Sequence, residues 1–273
     1  MRAVVLAAEQ GEDLEPLTAD VPVSMVPVLD RPVLEHTVGL LHRQGVRDIV
    51  AVVGYNSRVV TRYFGDGLRY QIASQPLPRG DGPLLVLSAS VLTDLDVREV
   101  LDVHRAHGAP ATAGPDGALY VLDAEAADGV TPLELRERFA NAVASEVDDY
   151  WLPLRTPADL RRGVFDLLLG ELELPVGGVQ LDTGLTLGEG TALDGIAMIE
   201  PPVWIGSQVQ IGEHVRLQGP LVVGDGATIG DGTLLRDSVV MPGATLPRET
   251  ILIGAIAGHA RVADSLYLRY DLA

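Results

Sequence analysis

The chain has 273 residues, enough for one or two domains with a sizeable core, and is 47% hydrophobic and 21% charged. Its 20 basic and 38 acidic side chains leave a net charge of −18, which argues against nucleic acid or an anionic membrane as partner, because phosphate contacts need clustered cations. It contains no cysteine, which excludes disulfides, thiolate zinc sites and a thiol nucleophile, and no lysine, so every basic side chain is arginine and lysine-dependent chemistry is closed to it.

In chain order, the apolar run from Met1 to Ala8 predicts a strand that feeds the polar turn EQGEDLE, residues 9–15. PVLEHTVGLLHRQG predicts an amphipathic helix closed by Gly45, DIVAVVGY a second strand, and SRVVTRYFGDG a helix ending at a glycine turn. VREVLDVHRAHG places Val97, Val100, Leu101 and His104 at helical spacing, and ALYVLDA returns to strand. Strands alternating with helices over residues 1–165 predict a mostly parallel sheet covered on both faces. Apolar runs such as VVLAA and IVAVVG are too short to span a bilayer, and Met1 leads into a strand with no basic leader, so a cytoplasmic protein is expected.

The period changes after about residue 175. Every sixth residue from 181 is aliphatic or Met: Leu181, Leu187, Leu193, Ile199, Ile205, Ile211, Leu217, Val223, Ile229, Leu235 and Met241. A second apolar or small residue falls four positions on, at Val203, Val209, Val215, Leu221, Ala227 and Val239. A fixed period of six predicts a left-handed parallel β-helix over 175–262, with 263–273 as its cap.

With both parts in hand, the chain resembles the nucleotide-sugar pyrophosphorylases, the mannose-1-phosphate guanylyltransferase and glucose-1-phosphate nucleotidyltransferase group that carries such a β-helix. The likeness is carried by MRAVVLAA, LEPLTADVP, MVPVLDRPVLEHTVGLL, YFGDG, VLTDLDVREVLDVHRAHGA, the YW and TPADL of residues 150–160, and the repeats. It implies a Rossmann-like nucleotidyltransferase domain, here shortened, ahead of the β-helix. It also places a vestigial nucleotide loop at Ala7, Ala8, Glu9, Gly11, Asp13, Gly80 and Asp81.

The departures from the family pattern are specific. Where the family reads G-x-G-T-R, this chain has Glu9, Gln10, Gly11, Glu12 and Asp13, and the lysine of the family's P-K pair is matched by Val23. The two metal-holding aspartates, of N-G-D and Y-W-x-D-I-G, are matched by Ser90 within Ser88-Ala89-Ser90 and by Pro153. Asp94 reads as a helix N-cap instead. The strands that carry the family's E-K-P motif and sugar contacts are missing between Gly114 and Tyr120, and the base-recognition loop shortens to Gly80, Asp81, Gly82 and Pro83.

Magnitudes favour loss of chemistry. A carboxylate at contact distance from a phosphate costs about 4 kcal/mol at an effective dielectric near 20, and a missing arginine–phosphate bond forfeits roughly 1.5–3 kcal/mol more. The expectation is a catalytically silent homologue without catalytic residues, metal or cofactor. It would serve as a regulatory or scaffolding subunit, as a homodimer or in a hetero-oligomer with an active pyrophosphorylase. A sugar-nucleotide sensor, an active nucleotidyltransferase and a hexapeptide acyltransferase using His214 or His259 remain alternatives. The acidic turn lacks the oxygen spacing of a calcium loop, and the H-x-x-H of His104 and His107 reads as packing rather than metal ligation.

Overall fold

The structure, a computed structural model, describes residues 1–146, 148–181, 184–193, 196–258, 262–263 and 267–269, with backbone alone at 196–197, 262–263 and 267–269. Two compact units divide the chain: Met1–Glu12, Asp20–Val26 and Pro32–Leu154 form one, and Asp13–Ala19, Pro27–Arg31 and Arg155–Ala273 the other. The boundary expected near 165 thus falls at 154, and two short N-terminal segments pack with the C-terminal unit.

The first unit is built on β1 (Arg2–Ala7), whose consecutive apolar residues suit a strand buried on both faces. It pairs in parallel with β4 (Asp48–Val53) and β6 (Leu84–Ser88). Outside these lie β5 (Arg69–Ile72), parallel to β4, and a hairpin of β8 (Ala111–Ala113) and β9 (Leu119–Leu122), antiparallel to each other. β9 is also antiparallel to β6, and the short strand Val143–Ala144 closes the sheet beside β8.

Helix α1 (Val33–Arg43) contacts β1 and α3 (Val97–His107) contacts β9; α3 ends directly before the left-handed Gly108, and α1 two residues before the left-handed Gly45. Helix α2 (Ser57–Phe64) follows β4. The other face departs from the expected helical cover. There Val4, Val52, Val86, Tyr120 and Leu122 pack against Leu77, Ala127, Val130 and Leu135. Leu77 belongs to the crossover 73–83 between the parallel strands β5 and β6, which contains no helix. Parallel connections of this kind usually hold one.

In the second unit, three stacks of five, four and three short parallel strands among the described residues form the sides of a prism, with antiparallel strands added at the ends of the first two. Leu185 pairs with Val203 and Val203 with Leu221, so a coil is 18 residues, three hexads, as in the bond from Ser207 to Asp225. Ile205, Leu217, Val223, Leu235 and Leu252 are fully buried in one cluster, each stabilising the coil by about 1.5–3 kcal/mol. Gly206 has room for no side chain, since a Cβ there would lie 2.3 Å from Asp225 Oδ1. That carboxylate accepts the Ser207 N–H at 2.7 Å and ties one coil corner to the next.

Two expected interior positions are corrected. Leu181 is 40% exposed, because Val179–Leu181 runs antiparallel to Leu185–Leu187 instead of starting a coil. After Leu235 the frame slips by one residue: Val223 pairs with Val240, and Val240, not Met241, joins the buried cluster. Leu193, Ile199 and Ile211 pack against that cluster while partly buried.

Helix α5 (Pro157–Leu169), read in sequence as part of the first domain, belongs to this unit, started by a capping box of Thr156 and Asp159. At the far end, Val262–Ala263 and Tyr267–Arg269 turn back antiparallel onto Ile256–Ala257 and Ile251–Ile253. The rest of the expected cap lies outside the described residues.

Candidate functional site

The C-terminal ends of β1, β4 and β6 open together. Ala7 pairs with Val53, Leu6 pairs with Ser88, and the N–H of Ala89 donates to Leu6 O at 2.8 Å. Ala7 is buried, and the partly buried Ala8 leaves the sheet beside Gly54, where a Cβ would meet Ala8 Cβ at 2.8 Å. Gly54 is thus a requirement of the loop that motif reading did not single out. The signal for it was the glycine closing IVAVVG.

Beyond Ala8 the loop carries exposed carboxylates at Glu9 and Glu12, with a left-handed Gly11 (φ 72) between them. Asp13, in the turn Glu12–Leu14, is exposed as well and starts the segment that packs with the other unit. The loop is pinned from below. Val23 N–H donates to Glu9 O at 3.1 Å, and Ser24 Oγ donates to Ala7 O at 3.3 Å. Val23 is 1% exposed, within a turn, Val23–Met25, that is buried throughout. An aliphatic side chain in the core therefore stands where the resemblance places a lysine.

Gly80 and Asp81 do not join this loop. A Cβ on Gly80 would lie 3.9 Å from Arg2 Cβ, and Arg2 donates to Arg79 O. Arg2 opens β1 and Ala7 closes it, so the two parts of the expected site lie at opposite ends of a strand roughly 16 Å long. The separation follows from the helix-free crossover, which brings residues 79–83 to the start of β6.

At the place of the family's metal carboxylates, Ser88 Oγ and Ser90 Oγ bond each other at 2.7 Å. Pro153 lies in a strand, Trp151–Pro153, paired with Val91–Thr93. Asp94 Oδ1 accepts from Tyr150 N at 3.0 Å, and Asp149 Oδ2 accepts from Asp96 N at 3.0 Å. Asp94 is not the N-cap of α3. Asp96 is, accepting from Arg98 N at 2.7 Å. The magnesium implied by the resemblance does not fit these donors, because the matching positions hold no carboxylate and the nearest ones bind backbone amides. Among the described residues no group of three His, Asp or Glu side chains is placed to hold a metal ion.

The histidines have structural partners. The hydroxyl of Thr112, itself 1% exposed, lies 2.7 Å from both His104 Nδ1 and His107 Nε2, and His107 Nδ1 accepts from Ala109 N. This binds α3 to the shortened hairpin. His214 is exposed at a left-handed coil corner (φ 59), and His259 lies outside the described residues.

A mostly parallel sheet whose central strand delivers a glycine-bearing loop beyond its carboxyl end is the architecture of a nucleotide-handling α/β domain. Residues 2–116 match the family model described as nucleotidyl transferase. Among similar proteins, a UTP–glucose-1-phosphate uridylyltransferase of Synechocystis is 24% identical, over 90% of this chain and 86% of its own length. Its 342 aligned positions outnumber the 273 residues here, so it has residues with no counterpart in this chain. A mannose-1-phosphate guanyltransferase of Candida albicans is 30% identical over 41% of this chain, which spans 36% of that relative. A Bacillus anthracis crystal structure described as a glucose-1-phosphate thymidylyltransferase shares the fold, with a TM-score of 0.51 at 14% identity over 64% of this chain and 98% of its own. Among the described residues no helix is long and apolar enough to cross a membrane.

Proposed function

We propose that this chain is a nucleotidyltransferase homologue without pyrophosphorylase turnover, acting in the cytoplasm as a regulatory or scaffolding subunit. Its partner would be a second copy or an active relative. The observation that carries the reading is Val23, sealed at 1% exposure beneath a loop of exposed carboxylates. Nucleotidyl transfer depends almost entirely on positioned positive charge around the phosphates. Here the loop contributes Glu9 and Glu12, the turn beneath it contributes a valine, and the metal positions contribute a serine pair and Pro153.

The competing reading is turnover of a nucleoside triphosphate with a sugar 1-phosphate, the reaction type named for its relatives. Pyrophosphate release separates the two. Purified protein with magnesium, each common nucleoside triphosphate and hexose 1-phosphates is expected to release none above background. Sustained release would replace this reading with the catalytic one. For the subunit role, co-purification with an intact nucleotidyltransferase from the source cell supports the hetero-oligomer, and a homodimer in light scattering supports self-association.

A further inference from the structure

The three sides of the prism present different surfaces. On the side of five parallel strands, the outward ladder Trp204, Val222, Val239 and Ile256 is buried. On the side of three, the outward ladder is polar: Gln210, Thr228 and Thr245. The side of four is formed by Ile196–Glu200, Val215–Gln218, Leu234–Arg236 and Ile251–Ile253. It buries Leu217, Leu235 and Leu252 in the prism and, by the alternation of a strand, turns two ladders outward. One runs Met198, Arg216, Leu234, Ile251; the other runs Glu200, Gln218, Arg236, Ile253, each residue paired with the next across a coil.

Two features mark the side of four as a contact surface. Met198 is 37% exposed, and Leu234, Ile251 and Ile253 stay partly open, so apolar side chains of neighbouring coils face water together. The exposed charges among them are ordered as well. Glu200, Gln218 and Arg236 read negative, neutral, positive over three successive coils. Gln218 Nε2 donates to Glu200 Oε2 at 2.9 Å and holds the carboxylate in the ladder. Arg236 meets the carboxylate of its chain neighbour Asp237 only at 3.6 Å, beyond hydrogen-bond reach.

We propose that a second copy of this chain docks on this side, turned so that the two sets of coils run in opposite directions. A column that reads negative, neutral, positive is complementary to its own reverse, which is the condition for an isologous two-fold contact. With the axis at the level of Gln218, Glu200 faces the second copy's Arg236, Arg236 faces its Glu200, and Met198 faces its Leu234. An unlike partner is not selected by such an order. The same rotation sets Arg216 against the second copy's Arg216, a like-charge contact that weakens the pair. Four strands span only roughly 15 Å along the ladder, a small face against the ~800 Å² per partner of a standard interface, so the dimer exchanges with monomer. The proposal gives a surface to the second-copy partner of the functional reading, and rests on that reading's self-association and not on its loss of turnover.

The test is sedimentation velocity of the full chain over a concentration series. The wild type is expected to shift from monomer to dimer as concentration rises. Glu200→Arg and Arg236→Glu each enter the contact twice and should weaken dimerisation about tenfold. An equal mixture of the two variants should regain wild-type association, because every facing pair is then of opposite sign. Arg216→Gln removes the like-charge contact and should tighten the dimer about threefold. All three substitutions fall at exposed positions and should keep the wild-type melting temperature. A mixture as weak as its separate components, or single variants that dimerise like the wild type, would overturn this surface while leaving a dimer formed elsewhere, and with it the subunit reading, in place. A wild type that stays monomeric at every concentration would overturn the proposal and leave that reading only an unlike partner. Pyrophosphate release by a dimer that passes these tests would refute catalytic silence alone.

Discussion

Replacing Val23 with lysine restores the residue type that the resemblance places there, and the structure predicts that it harms the protein without rescuing it. Val23 is 1% exposed and its own N–H is engaged by Glu9 O. Removing the isopropyl group forfeits about 1.5 kcal/mol of burial. An ammonium in the same volume must then be desolvated, neutralised or forced out through the turn Val23–Met25, at a further cost of roughly 2 kcal/mol or more. A loss of about 3 kcal/mol lowers the melting temperature by roughly 6–12 °C in a chain of this size. Glu12→Lys changes charge by a larger amount at an exposed position and should move it by no more than about 2 °C. Differential scanning calorimetry of both variants, followed to the first transition, reads the contrast. If Val23→Lys melts with the wild type, the space above Val23 is open, and the argument that the core has closed under the phosphate loop fails.

Other consequences are equally measurable. Ile229→Asp should disrupt the coil through an unpaired buried carboxylate, whereas Arg216→Asp, on an outward face, should be tolerated; equal circular dichroism melts would refute the coil assignment. Gln208 holds φ 57 at a corner where Gly226 and Gly243 hold the same hand in successive coils, so Gln208→Gly should raise stability by about 1 kcal/mol in urea denaturation. The Tyr120 hydroxyl is raised above 10.0 chiefly by burial, with Arg136 acting in the opposite direction. Its contribution to stability is therefore complete below pH 10 and is lost as pH climbs toward the folded value, so Tyr120→Phe should flatten the alkaline fall in melting temperature.

How far the sequence reached depends on which residues carried the pattern. The period of six located the prism because each coil repeats one rule, burying Ile205, Leu217 and Val223 alike. It failed where that rule changes: at Leu181, where the chain turns back, and between Leu235 and Val240, where a corner is one residue shorter. The strands and helices around β1 follow their apolar spacing closely. The cover of the sheet does not, because residues 73–83 pack through Leu77 without any helical period to announce it. That crossover also explains why Gly80 and Asp81 were grouped with Glu9. A loop matched by order in the chain was carried to the opposite end of the sheet once its helix was gone.

Around Ala8 exposed carboxylates and the buried Val23 stand where phosphate-polarising cations are expected, and pyrophosphate release tests the consequence most directly. A coupled assay with magnesium, the common nucleoside triphosphates and glucose or mannose 1-phosphate should give the same trace with protein as without it, for the wild type and for Ser90→Asp alike. The serine variant is informative because it returns a carboxylate to one metal position while Val23 and the acidic loop stay in place. Steady release by the wild type that scales with protein concentration and disappears without magnesium would contradict the account.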